Sequence, residues 1–269
     1  MKQLKGKISV IIPAYNEAVR IASSIEEIVK TFNRFSCAWE LIVIDDGSCD
    51  ATYEISREIA ERYPSQIQVK KNPVNLGKGR ALKKALHYVS GEYTLWLDAD
   101  MELHPLQAQT LMDIMRLDNA DIVIGSKLHP NSIVDYPFLR KIVSLGYYLL
   151  VKFLFGLPCH DTQTGIKLFR TEVLRKVFPR ILVKKFAFDL EVLVNAHHLG
   201  YKIAEAPVRI ERRRWQSRIG MRTIFTTAWD TLAVWYRMYI LRYYDRIHYH
   251  RRKNLAREFR KMRQGLSGA

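Results

Sequence analysis

The chain opens with a regular alternation of short apolar runs and amphipathic stretches. "ISVIIP" (8–13) is a β-branched run closed by proline and predicts a strand. The stretch after it sets Ile21, Ile25, Ile28 and Val29 on one face at helical spacing. "ELIVID" (40–45) predicts a second strand, "CDATYEISREIAERY" (49–63) a helix opened by Asp50, and "IQVKK" (67–71) a third strand. "GRALKKALHYV" (79–89) predicts a helix, and "YTLWLD" (93–98) and "ADIVIG" (120–125) two more strands. Strand alternating with helix implies an α/β, doubly wound and mainly parallel sheet. Unbroken apolar runs such as Leu41–Ile44 fit strands covered on both faces.

The pattern changes near residue 126. A loop leads to an amphipathic stretch ending near 157, and "HDTQTGIKLFR" (160–170) turns from polar into a short strand. "FAFDLEVLVNAHHLG" (186–200) predicts a helix ended by Gly200, and "YKIAEAPVRIERRR" (201–214) a strand running into basic residues. No repeat and no low-complexity linker interrupts the chain.

In sheets of this kind ligands sit beyond the carboxyl ends of the strands. Those ends carry Pro13-Ala14-Tyr15-Asn16-Glu17, then Asp45-Asp46-Gly47-Ser48, then Asp98-Ala99-Asp100. Helix capping explains Ser48 or Asp50, but not adjacent acids at one strand end and alternating acids at another. In "LWLDADMELHP" (95–105), extended backbone would bring Asp98, Asp100 and Glu102 to one face. Three carboxylates that close repel one another unless a cation lies among them. Taken alone, this run is either a solvated loop or a divalent metal site.

Bulk properties narrow the partners. The 269 residues allow one large domain with an appendage, and 48% hydrophobic content allows a real core. Lys+Arg number 43 against 27 Asp+Glu, a formal charge of +16 that favours polyanions or anionic surfaces. Cys37, Cys49 and Cys159 lack disulfide or metal spacing and fit a reducing compartment. The N-terminal apolar run is too short for a signal peptide. The stretches 142–158 and 223–244 are broken by Lys152, and by Asp230 and Arg237, so both are expected to lie on a membrane rather than cross it.

"IPAYNE" (12–17), "DDGS" (45–48), "NLGKGRAL" (75–82) and "DAD" (98–100), in this order, resemble the inverting family 2 glycosyltransferases with the GT-A fold. "DTQTGIKLFR" (161–170) and "FDLE" (188–191) are similar to the branch that moves a sugar onto dolichyl or another polyprenyl phosphate. That branch includes dolichyl-phosphate mannose synthases and glucosyltransferases. The resemblance covers roughly residues 7–220.

It implies roles for named residues. Pro13, Ala14, Tyr15 and Glu17 are expected to line the nucleotide pocket, Asp45 and Asp46 to accept from ribose or base, and Lys78 to reach the phosphates. Asp98, Asp100 and Glu102 are expected to hold Mg²⁺ or Mn²⁺ against the diphosphate, with Glu102 where the mannose-synthase relatives commonly have Gln. Asp161 and Gln163 are expected to wall the sugar pocket, with Asp189 and Glu191 of "FDLE" either supporting this wall or capping and charging a helix; "DTQ" followed by "GIKLF" is closer to the glucosyltransferases.

On the acceptor side, Lys127, Arg140 and Ser144, with Arg212, Ser217 and Arg218 of "RRRWQSR" (212–218), are expected to hold the lipid phosphate; Trp215 stands where relatives have glycine. Asp100, Arg212, Arg218 and Asp161 are the candidate catalytic residues. His160, His197 and His198 are expected to be ordinary polar residues rather than ligands.

The expected architecture is a catalytic GT-A domain over 1–218 and a basic, aromatic, amphipathic helical tail over 219–269, peripheral on the cytoplasmic face of a membrane. Each basic residue near an anionic leaflet contributes on the order of 1 kcal/mol. The expected reaction moves a hexose, glucose from UDP-glucose ahead of mannose from GDP-mannose, to polyprenyl or dolichyl phosphate with inversion. The alternative acceptor is a hydroxyl of a polysaccharide or glycan, which demands a general base from Asp161, Asp189 or Glu191. Nucleic acid is a weaker partner for the charge, because the basic residues of the tail are interleaved with aromatic and apolar ones.

Overall fold

The computed structural model describes residues 6–134, 138–183, 187–210 and 221–245. Its centre is a seven-stranded sheet of order β3-β2-β1-β4-β6-β5-β7. The strands are β1 (Ile8–Ala14), β2 (Trp39–Asp45), β3 (Ile67–Lys71), β4 (Tyr93–Trp96), β5 (Ile122–Ser126), β6 (Lys167–Arg170) and β7 (Ile203–Pro207). Every strand expected from the hydrophobic pattern forms. β1, β2, β3 and β4 pair in parallel, as do β5 and β7, while β6 runs antiparallel between β4 and β5.

Side-chain alternation explains the two-sided core. Ile42 and Ile44 of β2 join Trp96, Ile124 and Phe169 on one face, whereas Leu41 and Val43 join Val10, Leu95 and Leu168 on the other. Truncating such a residue to alanine costs about 2–5 kcal/mol, since the emptied volume does not fully collapse. Helix α1 (Ile21–Phe32) buries Ile21, Ile25, Ile28, Val29 and Phe32, the stripe expected from the sequence. α2 (Thr52–Glu61) and α3 (Lys78–Ala85) follow β2 and β3. α4 (Ala108–Leu117) and α6 (Thr171–Val177) have no counterpart among the expected elements.

Between β5 and β6 the chain makes a long excursion through α5 (Phe138–Phe155). It returns antiparallel, with Trp96 opposite Lys167. That register carries the residues just before β6 to the carboxyl end of β4. After α7 (Phe188–His198) and β7, the chain passes Leu103 at Ile210, two residues before Arg212. α8 (Met221–Trp235) continues into a π-helical turn, Tyr236–Ile240. Among the described residues no helix is long and apolar enough to cross a membrane.

Candidate active site

The ends of β1 and β2 are knitted by side chains. Asn16 adopts φ 55°, which turns the chain out of β1. Its N–H donates to Ser48 Oγ at 2.9 Å and its Oδ1 accepts from the Cys49 N–H at 2.9 Å. The Glu17 N–H donates to Thr52 Oγ1 at 2.8 Å, so "YNE" and "DDGSCDAT" form one rim. Gly47 lies at φ +75° with its Cα against the Val74 backbone, where a Cβ would collide.

The two acids of "DDGS" do different work. Asp45 is fully buried; Oδ1 accepts from the Ser48 N–H, and Oδ2 has no hydrogen-bond donor, its nearest cation being Lys71 at 3.8 Å. An unpaired buried carboxylate oxygen is costly unless a ligand supplies the donor. Asp46 spends its oxygens on protein: Oδ1 accepts from Asn72 Nδ2 at 2.7 Å and from the Leu76 N–H, and Oδ2 from the Gly77 N–H at 2.7 Å. It shapes the loop before Lys78.

The acid run differs from its expected geometry. β4 stops at Trp96, the Met101 N–H returns to the Asp98 carbonyl, and Met101 has φ 52°. The carboxylates therefore stand on a turn, not on one face of a strand, because positive φ at Met101 reverses the alternation. Asp98 Oδ1 accepts from Lys78 Nζ at 2.7 Å, and Glu102 Oε2 accepts from Lys127 Nζ at 2.7 Å. Asp100 lies between them and its Oδ1 accepts only the Glu102 N–H. Asp100 is exposed, but the protein around it partly desolvates its carboxyl. That crowding, with Asp98 and Glu102, raises its pKa despite the Glu102 N–H and Lys127. Glu17 is also raised, by burial and then, against Arg20, by Asp100, Asp50 and Asp98.

From this turn a chain of alternating charges runs inward. Lys78 lies 4.0 Å from Asp189 Oδ2, and Asp189 Oδ1 accepts from Lys167 Nζ at 2.7 Å. Lys167 is 1% exposed and also donates to the Thr164 carbonyl. Burial alone would raise the Asp189 carboxyl, but Lys167 and Lys78 outweigh it and hold the pKa below the ordinary range. Burial alone would lower the Lys78 ammonium; Asp98, Asp189 and Asp100 outweigh it and hold it above. Lys167 went unnoticed in the sequence, where "KLFR" reads only as a strand.

The loop before β6 closes against the acid turn. The Trp96–Lys167 register continues to Asp98 and Gly165, where a Cβ would run into the Asp98 carboxyl. The glycine of "DTQTG" is therefore a close-approach residue. Asp161 accepts from the Gln163 N–H at 3.0 Å and from the Lys127 N–H at 3.1 Å, joining this loop to the end of β5. His160 and Glu205 pair at 2.6 Å at its start, so the histidine is a surface strut as expected. Tyr147 of α5, missed in the sequence, interacts with Thr162 and Gln163 and meets Thr231 at 3.2 Å.

The remaining sites divide. Ser144 is half-buried on α5. The Arg140 side chain and Arg212, Ser217 and Arg218 lie outside the described residues, as do residues 246–269 of the expected tail. Glu191 is not part of the sugar-facing wall. It is fully buried, Oε2 accepts from the Leu182 and Val183 N–H groups, and Oε1 accepts from Tyr244 Oη with Arg237 at 3.5 Å. Helical spacing separates it from Asp189: two positions along α7 turn the side chain by about 200°. α5 exposes Ile142, Leu145, Leu149 and Phe153, and α8 with its π-turn exposes Trp229, Leu232, Tyr236, Tyr239 and Ile240. The two helices touch where the Phe155 and Tyr239 rings approach.

A mainly parallel sheet whose carboxyl edge carries a buried acid, an acid turn and a lysine loop is the scaffold of a GT-A glycosyltransferase. The chain belongs to glycosyl transferase family 2, whose model matches residues 9–178. It is 36% identical over 213 residues to a dolichyl-phosphate beta-glucosyltransferase of Dictyostelium discoideum, covering 75% of this chain and 65% of that protein. It is thus matched to just under two thirds of that relative's length. It is 32% identical over 252 residues to dolichyl-phosphate beta-glucosyltransferase ALG5D of Trichomonas vaginalis, covering 89% and 76%. The fold is shared with glucosyl-3-phosphoglycerate synthase of Mycobacterium tuberculosis, crystallised with Mn²⁺, uridine diphosphate and phosphoglyceric acid, at TM-score 0.64, 23% identity and coverage of 86% and 77%.

Proposed function

We propose that the protein transfers glucose from UDP-glucose to dolichyl or another polyprenyl phosphate, with inversion at the anomeric carbon. The observation that carries this reading is the approach of Gly165 to Asp98, which sets the loop bearing Asp161 and Gln163 on the acid turn. The names of the relatives, dolichyl-phosphate beta-glucosyltransferases, support the donor sugar and the acceptor. In the reaction a phosphate oxygen of the lipid bonds to the anomeric carbon as the bond to UDP breaks, and the electron pair leaves on the diphosphate.

This chain's groups fit that division of labour. The Asp45 oxygen without a donor suits an N–H or hydroxyl of the nucleoside, beside Pro13, Ala14 and Tyr15. Lys78 stands at the head of α3, poised to bind the diphosphate in place of Asp98. The carboxylate excess around Asp100 fits a hard divalent cation, Mg²⁺ or Mn²⁺, with Asp98 and Glu102 released by their lysines as further donors. Among the described residues no three histidine, cysteine or carboxylate groups are gathered closely enough to hold a metal ion by themselves. Bound there, the cation would act as a Lewis acid that stabilises the departing UDP. Lys127, Arg140, Ser144, Arg212, Ser217 and Arg218 are proposed to hold the acceptor phosphate, and Asp161, Gln163 and Asp189 the sugar side of the pocket.

A glycan hydroxyl is the weaker acceptor because the bases it would need are engaged. Asp189 is held ionised between two lysines, Asp161 caps two backbone N–H groups, and Glu191 is buried against Tyr244. A phosphate is already an anion and needs no base. The exposed apolar faces of α5 and α8 support a peripheral seat on the cytoplasmic side of a membrane, with residues 219–269 as the attachment tail and residues 1–218 as the catalytic unit.

The deciding experiment offers UDP-glucose and GDP-mannose to the protein with a short polyprenyl phosphate or a glycan acceptor, with and without Mn²⁺. A β-linked lipid phosphoglucose from UDP-glucose is the expected product. Mannosyl transfer in preference, or glucose arriving on the glycan without lipid, overturns the reading.

A further inference from the structure

Away from the acid turn, a cavity of about 530 Å³ lies between the outer face of α3 and the segment Ile181–Val183. Arg80, Lys83, Lys84 and His87 line it. Their spacing (i, i+3, i+4, i+7) puts all four on one helical stripe. The opposite wall, Ile181, Leu182 and Val183 with the Phe188 ring, is apolar. No carboxylate lines the cavity, and among the described residues no ion pair holds Arg80, Lys83 or Lys84.

Such a gathering of cations is electrostatically unfavourable as it stands. Burial and the neighbouring Arg80 lower the Lys83 pKa, against an upward pull from Glu191. Lys84 is aimed by the Lys71 carbonyl at 2.6 Å and by Asn72 Oδ1 at 2.9 Å. Arg80 is exposed at the rim and carries a planar fork suited to phosphate. The cavity borders the catalytic recess without being part of it. Gly79 and Phe188 line it, and Gly79 is packed against the Phe188 ring, while their neighbours Lys78 and Asp189 join the charge chain on the other side.

We propose that this cavity is a second anion site that takes a phosphate monoester, its phosphate held by Arg80, Lys83 and Lys84. Its apolar wall accommodates the group the phosphate is attached to. The wall is fixed from behind: Glu191 accepts from the Leu182 and Val183 N–H groups and also from Tyr244, four residues past the π-helical turn Tyr236–Ile240. Binding in the cavity is thereby mechanically linked to the segment that exposes Trp229, Tyr236 and Tyr239. The site is independent of the transfer reaction and of its donor.

The test is a thermal-shift titration of the full chain, without nucleotide sugar or metal, in two arms: inorganic phosphate, and dihexanoyl phosphatidic acid below its micellar concentration. Arg80→Gln/Lys83→Gln is compared with Lys30→Gln/Arg57→Gln, which removes the same charge from exposed positions on α1 and α2. The expected result is at least tenfold weaker binding for the α3 variant and less than twofold change for the control, with circular dichroism unchanged in both. Dependence on Arg80 and Lys83 in the lipid arm alone assigns the site to a lipid headgroup; dependence in both arms assigns it to free phosphate as well. Equal weakening in the two variants, or saturable binding in neither arm, overturns the proposal.

Discussion

The two sides of the catalytic cleft are held together by different forces. On the donor side, side chains bond to backbone a few residues to about thirty away: Asp46 to Leu76 and Gly77, Asn16 to Cys49, Asp45 to Ser48. These are contacts between one side chain and a backbone N–H, made at strand ends and the loops that follow them. On the side proposed to face the sugar and the acceptor phosphate, the acceptor side for short, order rests on charges and on one antiparallel register. Lys167 pairs with Asp189, Lys127 with Glu102, and Gly165 abuts Asp98 only because β6 enters the sheet backwards. The difference teaches that the donor pocket is built locally and the acceptor wall globally, so damage should propagate differently on the two sides.

Removing one end of the buried pair should break the acceptor side most severely. Lys167→Met leaves Asp189 charged and buried, at a cost of about 3–5 kcal/mol. The sign with pH is diagnostic. The depressed Asp189 pKa contributes stability that is present above the ordinary carboxylate pKa and lost as pH falls. In the variant burial dominates, so part of the lost stability should return on acidification as Asp189 takes a proton. Chemical denaturation at pH 7 and pH 5 measures it. Asp189→Asn added to Lys167→Met should restore stability at pH 7, and no restoration would show that the pair is not what the fold relies on.

On the donor side the corresponding break is chemical rather than structural. Asp100→Asn should reduce turnover by on the order of 10²–10³-fold, the scale of losing one electrostatic contact to the leaving group. The free energy of unfolding should stay within about 0.5 kcal/mol of wild type, because the side chain is exposed and accepts a hydrogen bond from its own turn. A large stability loss here would erase the contrast between the two sides.

Gly165→Ala tests the seam between them. Its Cβ would displace the Asp98 carboxyl, and an ångström-scale displacement near reacting atoms costs about 10²-fold in kcat. Gly156→Ala, at the end of α5 with open space around it, is the matched control: its φ of +64° brings strain but no collision. Gly165 itself has no positive φ, so equal losses in both variants would mean that the contact with Asp98 is not what Gly165→Ala disturbs.

Legibility followed the same divide. All seven strands and the acids at their ends could be read from periodicity and strand-end position, because β-branched runs and polar tips are local signals. The pairing of Asp98 with Gly165 could not, since it depends on the direction of β6, which "IKLF" does not encode. Lys167 and Asp189 looked like two unrelated charges 22 positions apart. Glu191 reads as either a support of the sugar wall or a cap of a helix because it shares "FDLE" with Asp189, while its partner Tyr244 is 53 positions away. The Met101 turn escaped because alternation in the sequence persists where the backbone has stopped being extended. α4 lay unread because Leu111, Met112 and Met115 offered too short a stripe.

The mildest perturbation sharpens the comparison without altering a residue. Asp100 and Glu17 face one recess, and both carboxyls are raised above their ordinary values. A protonated carboxyl cannot hold a divalent cation. Mn²⁺ affinity, read by isothermal titration in the presence of UDP, should therefore weaken as pH falls, and at a higher pH than unperturbed carboxyls at these positions would give. Asp45 answers a different demand under the proposed function: its Oδ2, 3.8 Å from Lys71 and without a hydrogen-bond donor, is proposed to accept from the nucleoside. UDP affinity without metal should accordingly change less than Mn²⁺ affinity over the same window. Parallel loss of the two would mean that nucleoside and cation are read by one coupled set of acids. Separate loss would place the division of labour inside the donor side itself, between the buried strand end of β2 and the open turn after β4.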